Sequence, residues 1–402
     1  MSSNVLRQIA LPRTSIDRIA TPALLVYLDR VRANCAAVVE RHCGGDANRW
    51  RPHVKTAKLA PVYSIVAESG VRNFKCATTL EARVLASSLR ALGVEAESDI
   101  LVAYPLVGPS LIELESLQRE FADLAFSVVV ESAESVASIP SSLGIFVDVN
   151  PGMNRTGMPL ADAEAGAAAN VARAAGDRFR GVHAYDGHAA NWSVGAERRA
   201  EVWKIYDRVR ALVASLHADG VPCGEAITSG TPSFIDALAH PGLGAMHAES
   251  GAMHRVSPGT VVLCDARTAE QLGDDVGLAP AALVLARCVS RPGTTMATLD
   301  AGCKAISADA GNPIANVLGY EEVATALGPS EEHLPLELSD EVGRRSFERG
   351  DPFYLLPRHI CPTVNMFTEA ITVESSGDDD NAFSLRVVPV GARGHAPHRD
   401  VE

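Results

Sequence analysis

Lys55 stands in Arg51-Pro52-His53-Val54-Lys55-Thr56-Ala57-Lys58, an amine set among Pro, His and Thr. The octapeptide follows an apolar, strand-like run at 21–28 and precedes an amphipathic helical stretch. An amine so placed can form a Schiff base with an aldehyde, and its neighbours tune when it gives up its proton. A second reactive group is Pro357-Arg358-His359-Ile360-Cys361-Pro362-Thr363. His359 and Cys361 alternate, so on an extended strand both side chains share one face. Two such ligands leave positions open on a divalent metal, as a catalytic site requires. Thiolate plus imidazole favours Zn²⁺, with Mn²⁺ or Mg²⁺ as harder alternatives.

Three further stretches carry polar groups at the ends of apolar runs. Gly181-Val182-His183-Ala184-Tyr185-Asp186-Gly187-His188 places imidazoles and a phenol after a strand. His188 is a candidate acid or base, because its ordinary pKa lies near neutrality. Thr228-Ser229-Gly230-Thr231-Pro232-Ser233 gathers hydroxyls and a glycine after a late strand. Such loops bind phosphate through backbone N–H groups and hydroxyls, which nominates Ser229, Gly230 and Thr231. Asn150-Pro151-Gly152-Met153-Asn154-Arg155-Thr156-Gly157 follows another strand. Its Arg155 is a candidate for a ring nitrogen, a phosphate, a substrate carboxylate or a loop salt bridge. A guanidinium cannot accept a proton, so beside a ring nitrogen it would leave that nitrogen unprotonated.

These groups need a scaffold, and the pattern of the chain supplies one. From 21 to 256 short apolar runs alternate with helical segments. Strands are expected at 23–28, 73–77, 99–103, 125–130, 144–149, 181–184 and 225–228, with a weaker one near 245–249. Helical periodicity marks 80–92, 110–121, 161–175 and 196–219. Seven or eight βα units fit a parallel (β/α)8 barrel, and no GxGxxG follows the first strand to favour a dinucleotide fold. After 256 the texture changes to strands at 261–264, 281–289, 295–299, 352–356 and 383–390, divided by Gly, Pro and acidic turns. This half, 257–402 with 1–20, reads as a second, mostly antiparallel β domain. Residues 331–348 read as a charged surface segment, 377–381 as a hairpin turn, and the last ten as a frayed end.

The 402 residues carry a formal net charge of −13 with 47% hydrophobic and 21% charged residues. That balance suits an ordinary soluble globular protein and disfavours nucleic acid or an anionic membrane as a partner. No run spans a bilayer and the N-terminus has no signal-peptide pattern, so a cytoplasmic protein is expected. Eight cysteines lie without CxxC pairs, which reads as free thiols, with Cys361 set apart from the rest.

Taken together, Pro52-His53-Val54-Lys55-Thr56, Phe74-Lys75-Cys76-Ala77-Thr78, the 228–233 loop, Ser257-Pro258-Gly259-Thr260 and the His359/Cys361 pair resemble the D-threonine aldolase / D-serine dehydratase family. The resemblance spans nearly the whole chain. It implies an alanine-racemase-like fold, with pyridoxal 5'-phosphate held by Lys55 as a Schiff base. It also implies cofactor contacts from His53, Arg155, Tyr185, Ser229, Gly230 and Thr231, and a catalytic metal on His359 and Cys361. In the family's SGGTPS-like phosphate loop a second Gly stands where this chain has only Gly230 before Thr231. The implied substrate is a D-β-hydroxy amino acid and the implied assembly a homodimer. The leading outcome is retro-aldol cleavage to glycine and an aldehyde, with dehydration to a 2-oxo acid and ammonia as the alternative. An alanine-racemase-like isomerase would need a second base, for which Tyr320 and Tyr354 are available. A carrier that holds the cofactor without turnover would have no need of the β domain.

Overall fold

Eight parallel segments close on themselves in the computed structural model, which describes residues 9–273, 276–339, 341–376 and 382–395. The strands Asn73–Cys76, Asp99–Val102, Ala125–Val130, Gly144–Asn150, Phe179–Ala184, Glu225–Thr228 and Met253–Val256 pair in that order, all parallel. Residues 50–53 close the ring: Trp50 bridges Val256 and His53 bridges Lys75. The Arg51 N–H donates to the Val256 carbonyl at 2.9 Å, and the Lys75 N–H to that of Pro52 at 2.9 Å. Helices cover the outside. A representative one, Thr79–Leu92, starts where the Thr78 hydroxyl accepts the Glu81 N–H and stops at Gly93, whose φ of 70° is left-handed.

Side chains in a strand alternate, so every second residue points into the barrel. The register stacks those residues in three layers. Arg51, Asp99, Glu225 and Arg255 form a charged floor at the N-terminal ends of the strands. Leu101, Val129, Phe146 and Ile227 form an apolar middle. His53, Lys75, Asp148 and His183 form a polar roof at the C-terminal ends. The floor is braced by Arg51, 1% exposed, whose Nε and Nη2 donate to Glu225 at 2.7 and 2.8 Å.

The second sheet is mostly antiparallel and differs from the sequence expectation in one respect. The strand Ala23–Tyr27, expected as the first of the barrel, lies in this sheet. It pairs antiparallel with Ala282–Ser290 and parallel with Glu369–Ser375. The first barrel segment is 50–53, too short and too polar to read as a strand. Residues 9–19 form no strand but pack on the second sheet, with Ile9, Leu11 and Ile16 in one buried cluster with Tyr27, Leu283 and Tyr354.

Other expectations change locally. The weak strand near 245–249 lies within the helix Pro241–Ser250, which has Pro at its first turn and left-handed Gly251 at its end. The true last strand is Met253–Val256. Residues 261–264 form a helical turn, Thr260–Val262 and its cap. The charged segment 331–348 contains the strand Leu334–Leu338, whose leucines face inward. The expected turn at 377–381 lies outside the described residues, as does most of the C-terminal tail.

Candidate active site

Lys55 sits just above the barrel roof, in the helical turn Val54–Thr56 that follows the first barrel segment. His53 starts that turn by accepting the Lys55 N–H on Nδ1 at 3.5 Å. Burial pushes His53 well below the ordinary histidine pKa, and Lys55 and Lys75 push the same way, so the imidazole is neutral. Gly259 comes so close to His53 that a Cβ there would strike its carbonyl oxygen. The Ser257 hydroxyl donates to the Arg51 carbonyl at 2.7 Å, and Trp50 Nε1 to that of Pro258 at 3.0 Å. Ser257-Pro258-Gly259-Thr260 is therefore lashed to the Lys55 segment, and only glycine fits at its third place.

One cavity of about 200 Å³ is lined together by His53, Lys55, Tyr185, Gly230, Thr231, Thr260, His359 and Cys361. Residues from opposite ends of the chain thus converge on a single space. Tyr185 follows the strand Phe179–Ala184 and forms one wall. A Cβ on Gly187 or Gly230 would run into the Tyr185 ring. Burial raises the Tyr185 pKa and Asp186 raises it further, so the phenol keeps its proton. Arg155 is exposed, with its guanidinium carbon 4.9 Å from the Tyr185 ring centroid. It makes no ion pair among the described residues.

Ser229 lies at the loop's start with φ 62°, a left-handed backbone unusual for a side-chain-bearing residue. Its hydroxyl oxygen is buried and has no hydrogen-bond partner. An orphaned hydroxyl beside Gly230 and Thr231 is what a phosphate oxygen would satisfy. His188 flanks the cavity without lining it, with its ring 5.1 Å from Trp192 and a buried, unpartnered Nδ1.

The roof of the barrel holds groups that the sequence reading passed over. His183 Nδ1 is 2.8 Å from Asp148 Oδ1, and its Nε2 is 3.4 Å from Lys75 Nζ. Asp148 accepts a hydrogen bond from the Nδ1–H of His183, which leaves Nε2 to accept from Lys75. Burial lowers Lys75 to a pKa of about 7, with nearby Lys55 pushing the same way against the pull of Asp148. The unfolded chain keeps this proton into the ordinary lysine range, while the folded chain gives it up from about pH 7. Stability therefore rises with pH across that window. Denaturant midpoints of the cofactor-free protein between pH 7 and 10 are expected to climb more steeply for wild type than for Lys75→Met. Parallel curves would show that Lys75 titrates as in the unfolded chain.

His359 and Cys361 meet at the start of a helix, a correction to the extended strand expected for them. His359 is extended, with φ −132° and ψ 106°, and caps the helix Ile360–Met366, in whose first turn Cys361 lies. Pro362 follows, and proline fits a first turn because its missing N–H has no partner to lose. Asp265 fixes this helix start by accepting the Ile360 N–H at 2.8 Å. Asp309 Oδ2 holds His359 Nδ1 at 2.6 Å, and the imidazole also shares a hydrogen bond with Cys361. Burial alone would lower His359, but Cys361 and Asp309 outweigh it and raise its pKa to about 9. Burial opposes ionisation of Cys361, yet His359 brings its pKa below that of an ordinary thiol. Thr56 and Thr260 hydroxyls lie 3.2 and 3.4 Å from the sulfur. Among the described residues no third His, Cys, Asp or Glu joins the pair as a metal ligand. The donor set fits an ion with two protein ligands and open positions, its histidine oriented by a carboxylate.

Tyr320 and Tyr354 stand apart from the cavity. Tyr320 packs on Phe347 and Phe353, and the Tyr354 hydroxyl accepts the Leu11 N–H at 2.8 Å.

Comparison with known proteins places this geometry in context. Residues 26–262 match the family described as alanine racemase, N-terminal domain, and residues 281–373 the putative serine dehydratase domain. D-threonine aldolase of an Arthrobacter species is 27% identical over 94% of this chain and 97% of its own length. A 3-hydroxy-D-aspartate aldolase of Paracoccus denitrificans is 27% identical over 96% of this chain and 95% of its own. D-threonine aldolase from Filomicrobium marinum superposes with a TM-score of 0.73 at 23% identity, covering 93% of this chain and 95% of that one.

Proposed function

The chain belongs to the alanine racemase N-terminal-domain family, and from that premise we propose a pyridoxal-phosphate- and divalent-metal-dependent lyase acting on D-β-hydroxy amino acids. The carrying observation is the single cavity shared by Lys55, the Gly230/Thr231 loop and His359/Cys361. An amine, a phosphate cradle and a metal pair have no common use in a plain cofactor carrier. Retro-aldol cleavage to glycine and an aldehyde is the favoured outcome, as in the aldolases among the relatives. Dehydration to a 2-oxo acid and ammonia is the alternative, since D-threo-3-hydroxyaspartate dehydratase is also a relative, at 25% identity. A racemase reading gains nothing from Tyr320 or Tyr354, neither of which lines the cavity. The eight cysteines are free, in keeping with a reducing, cytoplasmic compartment, and a homodimer completes the proposal.

In this reading Lys55 holds the cofactor through its amine, and Ser229, Gly230 and Thr231 take its phosphate. Tyr185 supplies the wall beside the ring, and Arg155 reaches it from the solvent side. Bound pyridoxal phosphate supplies an electron sink for the pair released when a bond to the substrate's α-carbon breaks. The Lys55 amine would be the proton-transfer group nearest the α-carbon, able to deliver a proton there after Cα–Cβ cleavage or, in the dehydration alternative, to take the α-proton. His359 and Cys361 would hold a divalent cation, whose Lewis acidity suits a β-hydroxyl that must lose a proton or depart. Asp309 keeps the imidazole of His359 turned toward that duty, and Tyr185 and the Ser257–Thr260 segment limit access of water.

The test is to replace the metal pair while watching the cofactor. His359→Ala and Cys361→Ala are each expected to cut D-threonine turnover by about 10²-fold or more. Bound metal should fall with it, while the visible absorbance of bound cofactor persists. Full turnover by either variant would remove the metal pair from the reaction.

A further inference from the structure

We propose that Arg267 receives a carboxylate carried on the substrate's β-carbon, so that the site selects D-β-hydroxy amino acids with an anionic side chain. The inference rests on the lyase reading above and assigns its substrate class. Beyond the cofactor cavity lies a second space of about 480 Å³, lined by Trp192, Val194, Arg198, Arg267, Asp309 and Arg358 among others. Arg267 lines both spaces and so stands at the passage between them.

Every other charged group lining the second space has a partner. Arg198 donates to Asp236 at 3.1 Å and to the Gln271 carbonyl at 2.6 Å. Arg358 spans Glu270, with 3.2 Å to its nearer oxygen, and reaches the Ala310 carbonyl at 3.1 Å. Asp309 takes His359 and the Ser307 hydroxyl at 2.6 and 2.7 Å. The Arg267 side chain makes no hydrogen bond or ion pair with any described residue. It nonetheless acts electrostatically on both Tyr185, which lines the first space, and Asp309, which lines the second. An arginine offers a fixed fork of donors suited to a carboxylate.

The backbone that carries Arg267 is tied to the segment of the metal pair. The Arg267 N–H donates to the Arg358 carbonyl at 3.2 Å, directly before His359. Asp265, two residues earlier, accepts from Ile360 in the helix that carries Cys361. A substrate whose β-hydroxyl sits at His359/Cys361 must direct its remaining β-substituent away from Lys55. Arg267 lines the same cavity as His359 and Cys361, and so stands within the space such a substituent could enter.

The experiment uses the full chain loaded with pyridoxal phosphate and a divalent metal. Wild type is expected to favour D-3-hydroxyaspartate over D-threonine in kcat/KM by about 10²-fold, because an unfilled charged donor discriminates against the analogue. Arg267→Met should collapse that preference, with the dicarboxylate losing about 10²-fold more than D-threonine. Arg267→Lys should restore part of it, since it keeps the charge and loses the fork. Absence of a wild-type preference, or equal losses for both substrates in Arg267→Met, would overturn the proposal. If neither substrate turns over, the lyase reading fails, and this inference is judged separately by spectral titration with D-aspartate and D-alanine. Tighter binding of D-aspartate that vanishes in Arg267→Met would uphold the anion site. Equal affinities would remove it.

Discussion

Replacement of Lys55 by alanine is expected to abolish both the visible absorbance of bound cofactor and at least about 10³-fold of turnover, because the proposed function gives one residue both the anchoring of the cofactor and proton transfer at the α-carbon. The effect should be specific among the lysines. Lys75 lies nearby but is 2% exposed, below the cavity floor and occupied with His183. Lys55 lines the open cavity and has no anionic partner among the described residues. Borohydride reduction of the loaded protein followed by peptide mass analysis should therefore mark Lys55 alone. A label on Lys75, or an intact absorbance band in Lys55→Ala, would mean that the attachment site has been misassigned.

The second large effect concerns stability at the opposite end of the barrel. Arg51 is buried beneath the site, where Glu225, Asp99, Asn73 and the Phe74 carbonyl all accept from it. It joins the first barrel segment to the strands on both sides. Arg51→Met fills a similar volume but leaves Glu225 and Asp99 short of their main cation. Breaking a buried pair from one side costs about 3–5 kcal/mol. Chemical denaturation should show a correspondingly lower free energy of unfolding, and Arg51→Lys should recover only a part of it. A loss below about 1 kcal/mol would place this ion cluster with surface pairs in energetic weight.

The same two residues show what the sequence could and could not disclose. Lys55 was legible because its octapeptide is local and its neighbours are chemically telling. Strands such as Ala125–Val130 were legible too, as mainly apolar runs with the burial of a parallel sheet. Ala23–Tyr27 looks identical by that criterion. Its membership in the other sheet depends on partners at 282–285 and 371–373, a pairing that no local pattern carries. Lys75, Asp148 and His183 were given no role for a related reason. They lie in three different strands, and only the barrel register brings them to one layer. Asp309 lies 50 residues before the histidine it orients, in a loop with no motif of its own.

His359 and Cys361 offer a subtler case. Alternate spacing correctly suggested that the two side chains meet, yet the backbone that brings them together is a helix start. The residue before a proline usually avoids the helical region, so Cys361-Pro362 argued for an extended chain. The N–H of Ile360, captured by Asp265, and the Thr363 hydroxyl bonded to the His359 carbonyl at 2.8 Å tip the balance toward a helix. Asp265 lies outside the heptapeptide, and Thr363, though within it, reaches the His359 carbonyl only once the turn has formed.

The central claim is that Lys55 and the His359/Cys361 pair serve one reaction on a D-β-hydroxy amino acid. Product analysis with D-threonine and D-serine, with and without a chelator, tests it most directly. Glycine and acetaldehyde from D-threonine, lost on chelation and restored by metal, is the predicted result. Pyruvate from D-serine or 2-oxobutyrate from D-threonine, each with ammonia, would keep the shared site and replace the aldolase by a dehydratase. Turnover indifferent to chelation, or none of these products from the loaded enzyme, would contradict the account.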